Sequence, residues 1–145
     1  MYWDTSALLK IYVPESDSEY FLELIGNAAR PVFTSAIAGV EVCCALNRKQ
    51  QAGDIRRTDA AHAMDRFARD CAEGRINQLA CGGEMTIRAR EIVELARTRR
   101  RPVMIRSLDA IHVASALSIR AAGIVTTDLR MREVARMANL KILPA

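Results

Sequence analysis

The chain has 145 residues, 50% hydrophobic and 26% charged, which suits one globular domain over 1–145 with a real core. No apolar run approaches the roughly 20 residues of a membrane span. The N-terminus lacks a basic-then-apolar leader, so a cytoplasmic protein is expected. Net charge is +4 with a pI near 9.1, which fits a polyanionic substrate as well as it fits a genomic bias toward arginine codons.

In chain order, short apolar runs alternate with helical patterns. A first strand covers about Met1 to Trp3, and a short helix runs from Thr5 toward Tyr12, stopped by Pro14. Ser16 or Ser18 is a cap for a second helix reaching about Ala29, with Leu22, Leu24 and Ile25 on its apolar side. Pro31 leads into a strand at Val32–Thr34. Ser35 then caps a helix from Ala36 to Gln51, closed by Gly53.

A further helix spans about Thr58 to Ala72 and ends at Gly74, followed by a weak strand, Ile76 to Leu79. Gly82 and Gly83 precede a helix from about Met85 to Arg99. Ser107 or Leu108 opens another that runs to Ala121. Gly123 introduces a strand, Ile124 to Thr126. A final helix covers Leu129 to Met137, and Leu140 to Leu143 reads as a last strand. This alternation predicts an α/β protein, a three-layer α/β/α sandwich around a mainly parallel sheet. Such sheets bind ligands beyond the carboxyl ends of their strands.

Four acids stand out. Asp4 and Asp128 follow apolar runs that read as buried strands, which puts both at that edge. Glu41 has Ile37, Val40, Cys44, Ala45 and Arg48 at helical spacing, so it sits in or beside an apolar stripe. Asp109 opens a helix that carries no charge through Ile119 except what His112 could bear. Each has a plain explanation: helix capping for Asp4 and Asp128, the helix dipole for Asp109, and a snorkelling side chain for Glu41. Brought together, however, two carboxylates about 4 Å apart repel by roughly 4 kcal/mol at an effective dielectric near 20. Several such pairs strain a domain stable by about 5–15 kcal/mol. Protonation or a divalent cation relieves them, and oxygen ligands favour Mg²⁺ or Mn²⁺ over zinc.

Cys43, Cys44, Cys71 and Cys81 lack zinc spacing and are expected to be small core fillers. Trp3 and Phe33 are expected in the core, and His112 is expected to be a satisfied core histidine rather than a base.

The segments Trp3-Asp4-Thr5-Ser6-Ala7-Leu8-Leu9-Lys10, Thr34-Ser35-Ala36 through Val40-Glu41-Val42, Leu108-Asp109-Ala110-Ile111-His112-Val113-Ala114 and Val125-Thr126-Thr127-Asp128 occur in that order. Together they resemble the PIN-domain family, specifically the VapC-type toxins of bacterial toxin–antitoxin pairs, over essentially the whole chain. The resemblance implies a ribonuclease dependent on Mg²⁺ or Mn²⁺, acting as a homodimer and bound by a small antitoxin protein. It implies that Asp4, Glu41, Asp109 and Asp128 form the acidic quartet, with Asp4 and Asp109 as foremost metal ligands. Ser6 and Thr126 are the supporting hydroxyls, and hydrolysis leaves a 5′-phosphate and a 3′-hydroxyl. Arg99, Arg100 and Arg101, with Arg106 nearby, are candidates for RNA-backbone contact; a solvated helix end explains the run slightly better.

Two other readings are weaker. A haloacid-dehalogenase-type phosphatase needs a second acid two residues after the first, where this chain has Ser6. A non-catalytic PIN-like module binding RNA or protein keeps the fold without the chemistry.

Overall fold

The computed structural model describes residues 1–27 and 31–144. Five strands, β1 (Tyr2–Trp3), β2 (Val32–Ser35), β3 (Ile76–Leu79), β4 (Gly123–Val125) and β5 (Lys141–Leu143), form one sheet in the order β3-β2-β1-β4-β5. Every pairing is parallel. The helices are α1 (Thr5–Tyr12), α2 (Ser18–Gly26), α3 (Ala38–Ala52), α4 (Arg57–Ala72), α5 (Gly83–Arg97), α6 (Ser107–Ser118) and α7 (Leu129–Met137). The expected three-layer α/β/α architecture is present.

Strand alternation divides the interior into two cores. Trp3, Val32, Ile76 and Val125 face one core with Leu8, Phe21, Val42 and Phe67, under α1 to α4. Tyr2, Ile124 and the partly buried Phe33 face the other with Ile92, Val113, Met131 and Val134, under α5 to α7. Strand β1 is only two residues long, yet both side chains are fully buried, one in each core. Trp3 packs edge-on against Phe21 at 6.3 Å, and its indole N–H meets no partner among the described residues.

Strand β1 lies between β2 and β4, so the chain leaves it first toward one edge and later toward the other. A crevice opens at such a reversal, beyond the carboxyl ends of the strands. Asp4 follows β1 there, and Thr126 to Asp128 follow β4.

Several boundaries differ from the sequence reading. Ser35 does not cap α3: it ends β2, wholly buried, and α3 starts at Ala38 without a side-chain cap. On α2 the buried apolar residue is Phe21, while Leu22 is exposed. The expected extension of that helix to Ala29 reaches residues outside those described. Helix α5 starts and stops two residues earlier than its pattern suggested, at Gly83 and Arg97, and α6 stops at Ser118, short of Ala121. Gly53 does terminate α3, with φ +81° in the left-handed region that glycine tolerates. Only two of the four cysteines pack against the cores, Cys71 and Cys81. Cys43 and Cys44 are exposed on α3, and Cys71 and Cys81 are only partly buried.

Gly123 opens β4 opposite Lys141 of β5. A Cβ there would lie 2.5 Å from the Lys141 carbonyl oxygen, closer than any tolerated contact. Gly123→Ala is therefore expected to lose about 1–3 kcal/mol of stability as β4 and β5 are forced apart. Urea denaturation measures this; an unchanged midpoint would mean the edge strand moves freely.

Candidate active site

A cavity of about 580 Å³ opens at the carboxyl edge of the sheet, and Asp4, Glu41, Asp109 and Asp128 all line it. Asp4 and Asp109 are almost completely buried. Their placement follows from element ends: Asp4 caps α1, Asp128 caps α7, Asp109 lies in the first turn of α6 and Glu41 in the first turn of α3.

Asp4 is the most constrained. Its Oδ1 accepts from the Ala7 amide at 2.9 Å, and the Ser6 hydroxyl donates to both carboxylate oxygens, at 2.8 and 2.9 Å. From the neighbouring strand end, the Thr126 hydroxyl donates to Oδ2 at 2.8 Å. Ser6 and Thr126 are themselves oriented, Ser6 accepting from the Thr127 amide and Thr126 from the Asp128 amide. Burial pushes the Asp4 carboxyl above the usual carboxylate range, although the nearby His112 and these donors pull the other way. The buried anion is therefore undercompensated.

Glu41 is held differently. Its Oε2 accepts from the Thr5 hydroxyl at 2.5 Å and from His112 Nε2 at 2.6 Å. Arg48, at helical spacing from Glu41, lines the cavity but makes no hydrogen bond to any of the four acids among the described residues. Burial raises the Glu41 carboxyl, but the His112 hydrogen bond and charge, the Thr5 hydroxyl and Arg106 outweigh it, so it lies below the ordinary value. An ionised Glu41 only accepts, so Nε2 carries the hydrogen. The Tyr2 hydroxyl, kept protonated by burial, hydrogen-bonds His112 Nδ1 at 2.6 Å on the other side of the ring. His112 is thus a satisfied buried histidine, as expected, but what satisfies it is a site carboxylate. Sequence reading missed that link. The available signal was its spacing of three from Asp109, which puts both on one side of α6.

Asp109 and Asp128 share one cation. Arg106 donates from Nε to Asp109 Oδ2 at 2.8 Å and from Nη2 to Asp109 Oδ1 at 3.3 Å and Asp128 Oδ2 at 2.7 Å. Asp128 Oδ1 meanwhile accepts from the Arg130 and Met131 amides. Arg106 therefore belongs to the site, whereas Arg99, Arg100 and Arg101 do not. They line a separate cavity with Arg136 and Asn139 at the far end of α7, about 13 Å of helix away from Asp128.

The donor chemistry suits a hard divalent cation. The four acids and two hydroxyls supply only oxygen, and two guanidinium groups, Arg48 and Arg106, stand against four carboxylates. In the arrangement described, however, no three His, Cys, Asp or Glu side chains cluster closely enough to hold an ion among the described residues. The carboxylates are satisfied one by one, by hydroxyls, amides, His112 and Arg106.

The raised Asp4 value fixes the sign of a pH test. The folded state binds that proton more tightly than the unfolded chain, so the Asp4 contribution is most favourable below the unfolded value and is lost as pH rises through the folded one. Asp4→Asn keeps an acceptor for the Ala7 amide and removes the buried charge. The variant without metal is expected to be at least as stable as the parent at pH 8, with its advantage shrinking toward pH 4. Denaturant melts at both pH values read this; a deficit at every pH would mark the ionised carboxylate as a structural cap.

The PIN domain family matches residues 1–137. Ribonuclease VapC46 of Mycobacterium tuberculosis is 28% identical over 145 residues, an alignment covering 99% of this chain and 95% of that protein. With an all-parallel sheet, acids gathered at its switch point and a family match over nearly the whole chain, the chain belongs to the PIN-domain family.

Proposed function

We propose that the protein is a metal-dependent endoribonuclease that hydrolyses RNA phosphodiester bonds, and that it is the toxin of a toxin–antitoxin pair. One observation carries the reading: a buried, undercompensated Asp4 shares a cavity with three further acids, at the sheet edge where parallel α/β folds bind ligands. The full-length likeness to a protein named as a ribonuclease supports the substrate class.

Asp4 and Asp109 are the residues that would hold Mg²⁺ or Mn²⁺, with Glu41 and Asp128 completing the acidic wall. When bound, the ion supplies a water of lowered pKa and neutralises charge on the scissile phosphate. The chain's own groups do the rest. Ser6 and Thr126 fix both oxygens of Asp4, so it meets a ligand in one orientation. Glu41, held ionised by His112 and Thr5, is placed to orient a water and take its proton. Val40, Leu108 and Met131 at the cavity wall limit competing solvent around the reacting phosphate. In this reading the protein works in the cytoplasm as a homodimer and is restrained by a small antitoxin protein. No helix among the described residues is long and apolar enough to cross a membrane.

The individually satisfied carboxylates favour a second reading, a PIN-like module that binds RNA or protein without cutting it. Purified protein incubated with total tRNA and rRNA separates the two. Cleavage is expected with millimolar Mg²⁺ or Mn²⁺, is expected to stop with EDTA, and is expected to fall at least about 100-fold in Asp4→Asn and Asp109→Asn. Ser6→Ala is expected to cost about 10–100-fold. Cleavage that survives EDTA and both substitutions would sink the enzymatic reading. Metal at about 100 times its Kd should also add about 2.7 kcal/mol of stability. An unmoved thermal midpoint at saturating metal would count against an ion in this pocket.

A further inference from the structure

The acidic cavity already holds a positive charge, and that charge comes from the chain itself. Arg106 precedes α6 and reaches across to α7, so its guanidinium bonds two carboxylates 19 residues apart in sequence, Asp109 and Asp128. The fork is bidentate on Asp109, and one nitrogen, Nη2, serves both acids. Asp109 is buried, whereas the Arg106 side chain is 63% exposed. Nothing but these two acids holds the guanidinium among the described residues, and its stem has open solvent to swing into. The acids, by contrast, are fixed by their helices: Asp128 by two amides of α7, Asp109 by its burial in the first turn of α6.

We propose that Arg106 is a positioning residue that holds Asp109 and Asp128 facing one locus, and that a divalent ion and the guanidinium occupy that locus in turn. This rests on the metal-dependent reading above. The guanidinium suppresses repulsion between the two acids in the ion-free protein and keeps their oxygens aimed at a common point. It also explains why no ready-made cluster of three ligands exists in that state among the described residues. Binding of the ion requires the guanidinium to leave. The observed affinity is then the intrinsic affinity reduced by the fraction of molecules in which Arg106 has swung out. Once displaced, Arg106 remains at the cavity rim, where a phosphate oxygen is its natural next partner.

Isothermal titration of the metal-stripped full chain with Mn²⁺ and Mg²⁺ tests this without reference to activity. Arg106→Ala is expected to bind Mn²⁺ about tenfold more tightly than the parent. Arg48→Ala removes a charge from the same cavity wall but no carboxylate partner, and is expected to stay within about threefold of the parent. A second measurement separates the role from a merely structural ion pair. Without metal, Arg106→Ala should melt below the parent, and saturating Mn²⁺ should erase that deficit, because the ion then bridges the acids. Arg106→Lys keeps the charge without the fork and should fall between the two in affinity. Equal or weaker binding by Arg106→Ala overturns the proposal. So does equal tightening in Arg48→Ala, which would be a general charge effect, and so does a melting deficit that persists at saturating Mn²⁺. If the parent and every variant fail to bind either ion, the metal-dependent reading falls as well; if all bind with one affinity, only the Arg106 proposal falls.

Discussion

Everything at the carboxyl edge of the sheet hangs on one buried carboxylate. Asp4 follows a two-residue strand, donates its amide to the Val125 carbonyl at 3.1 Å and accepts from Ala7, Ser6 and Thr126. It therefore starts α1, ties the end of β1 to the end of β4 and engages the hydroxyls of Ser6 and Thr126. Burying an anion with only neutral donors is costly, and the upward push on its proton affinity shows that the cost is not fully offset. Groups perturbed in this way cluster at functional sites.

The remaining three acids are arranged around that one in two distinct ways. Glu41 is reached through a relay that begins in the core at Tyr2 and passes through His112, so its orientation is set by packing on the far side of the sheet. Asp109 and Asp128 are joined by an exposed arginine that solvent can release. The cavity thus combines a rigid side, Asp4 and Glu41, with a side whose counter-charge is exchangeable. That division matches a site that must hold its ligands' geometry while admitting an ion and a long polyanion in sequence.

Much of this was legible in the sequence. Alternating short apolar runs and helical patterns predicted the parallel sandwich, because βαβ connections leave few alternatives. Asp4 and Asp128 could be placed at one edge because each follows a strand. Gly53 and Gly74 marked helix ends through their backbone freedom. The errors have physical causes. Ser35 looked like a cap because its residue type favours caps, but β2 extends one residue further and buries it. Cys43 and Cys44 looked like core because cysteine usually is, whereas the phase of α3 is set by Val42, Ala45 and Leu46. Partnerships across the fold were the least legible. Glu41 to His112 spans 71 residues and Arg106 to Asp128 spans 22, distances at which local spacing carries no information.

The chain has a single tryptophan, Trp3, sealed in the first core, with its indole N–H meeting no partner among the described residues, immediately before Asp4. An indole in dry surroundings emits at short wavelength and responds to changes in the local field. The protein therefore carries an intrinsic optical probe one peptide bond from its most constrained acid. Events in the cavity become readable as colour and intensity of emitted light, with no label attached.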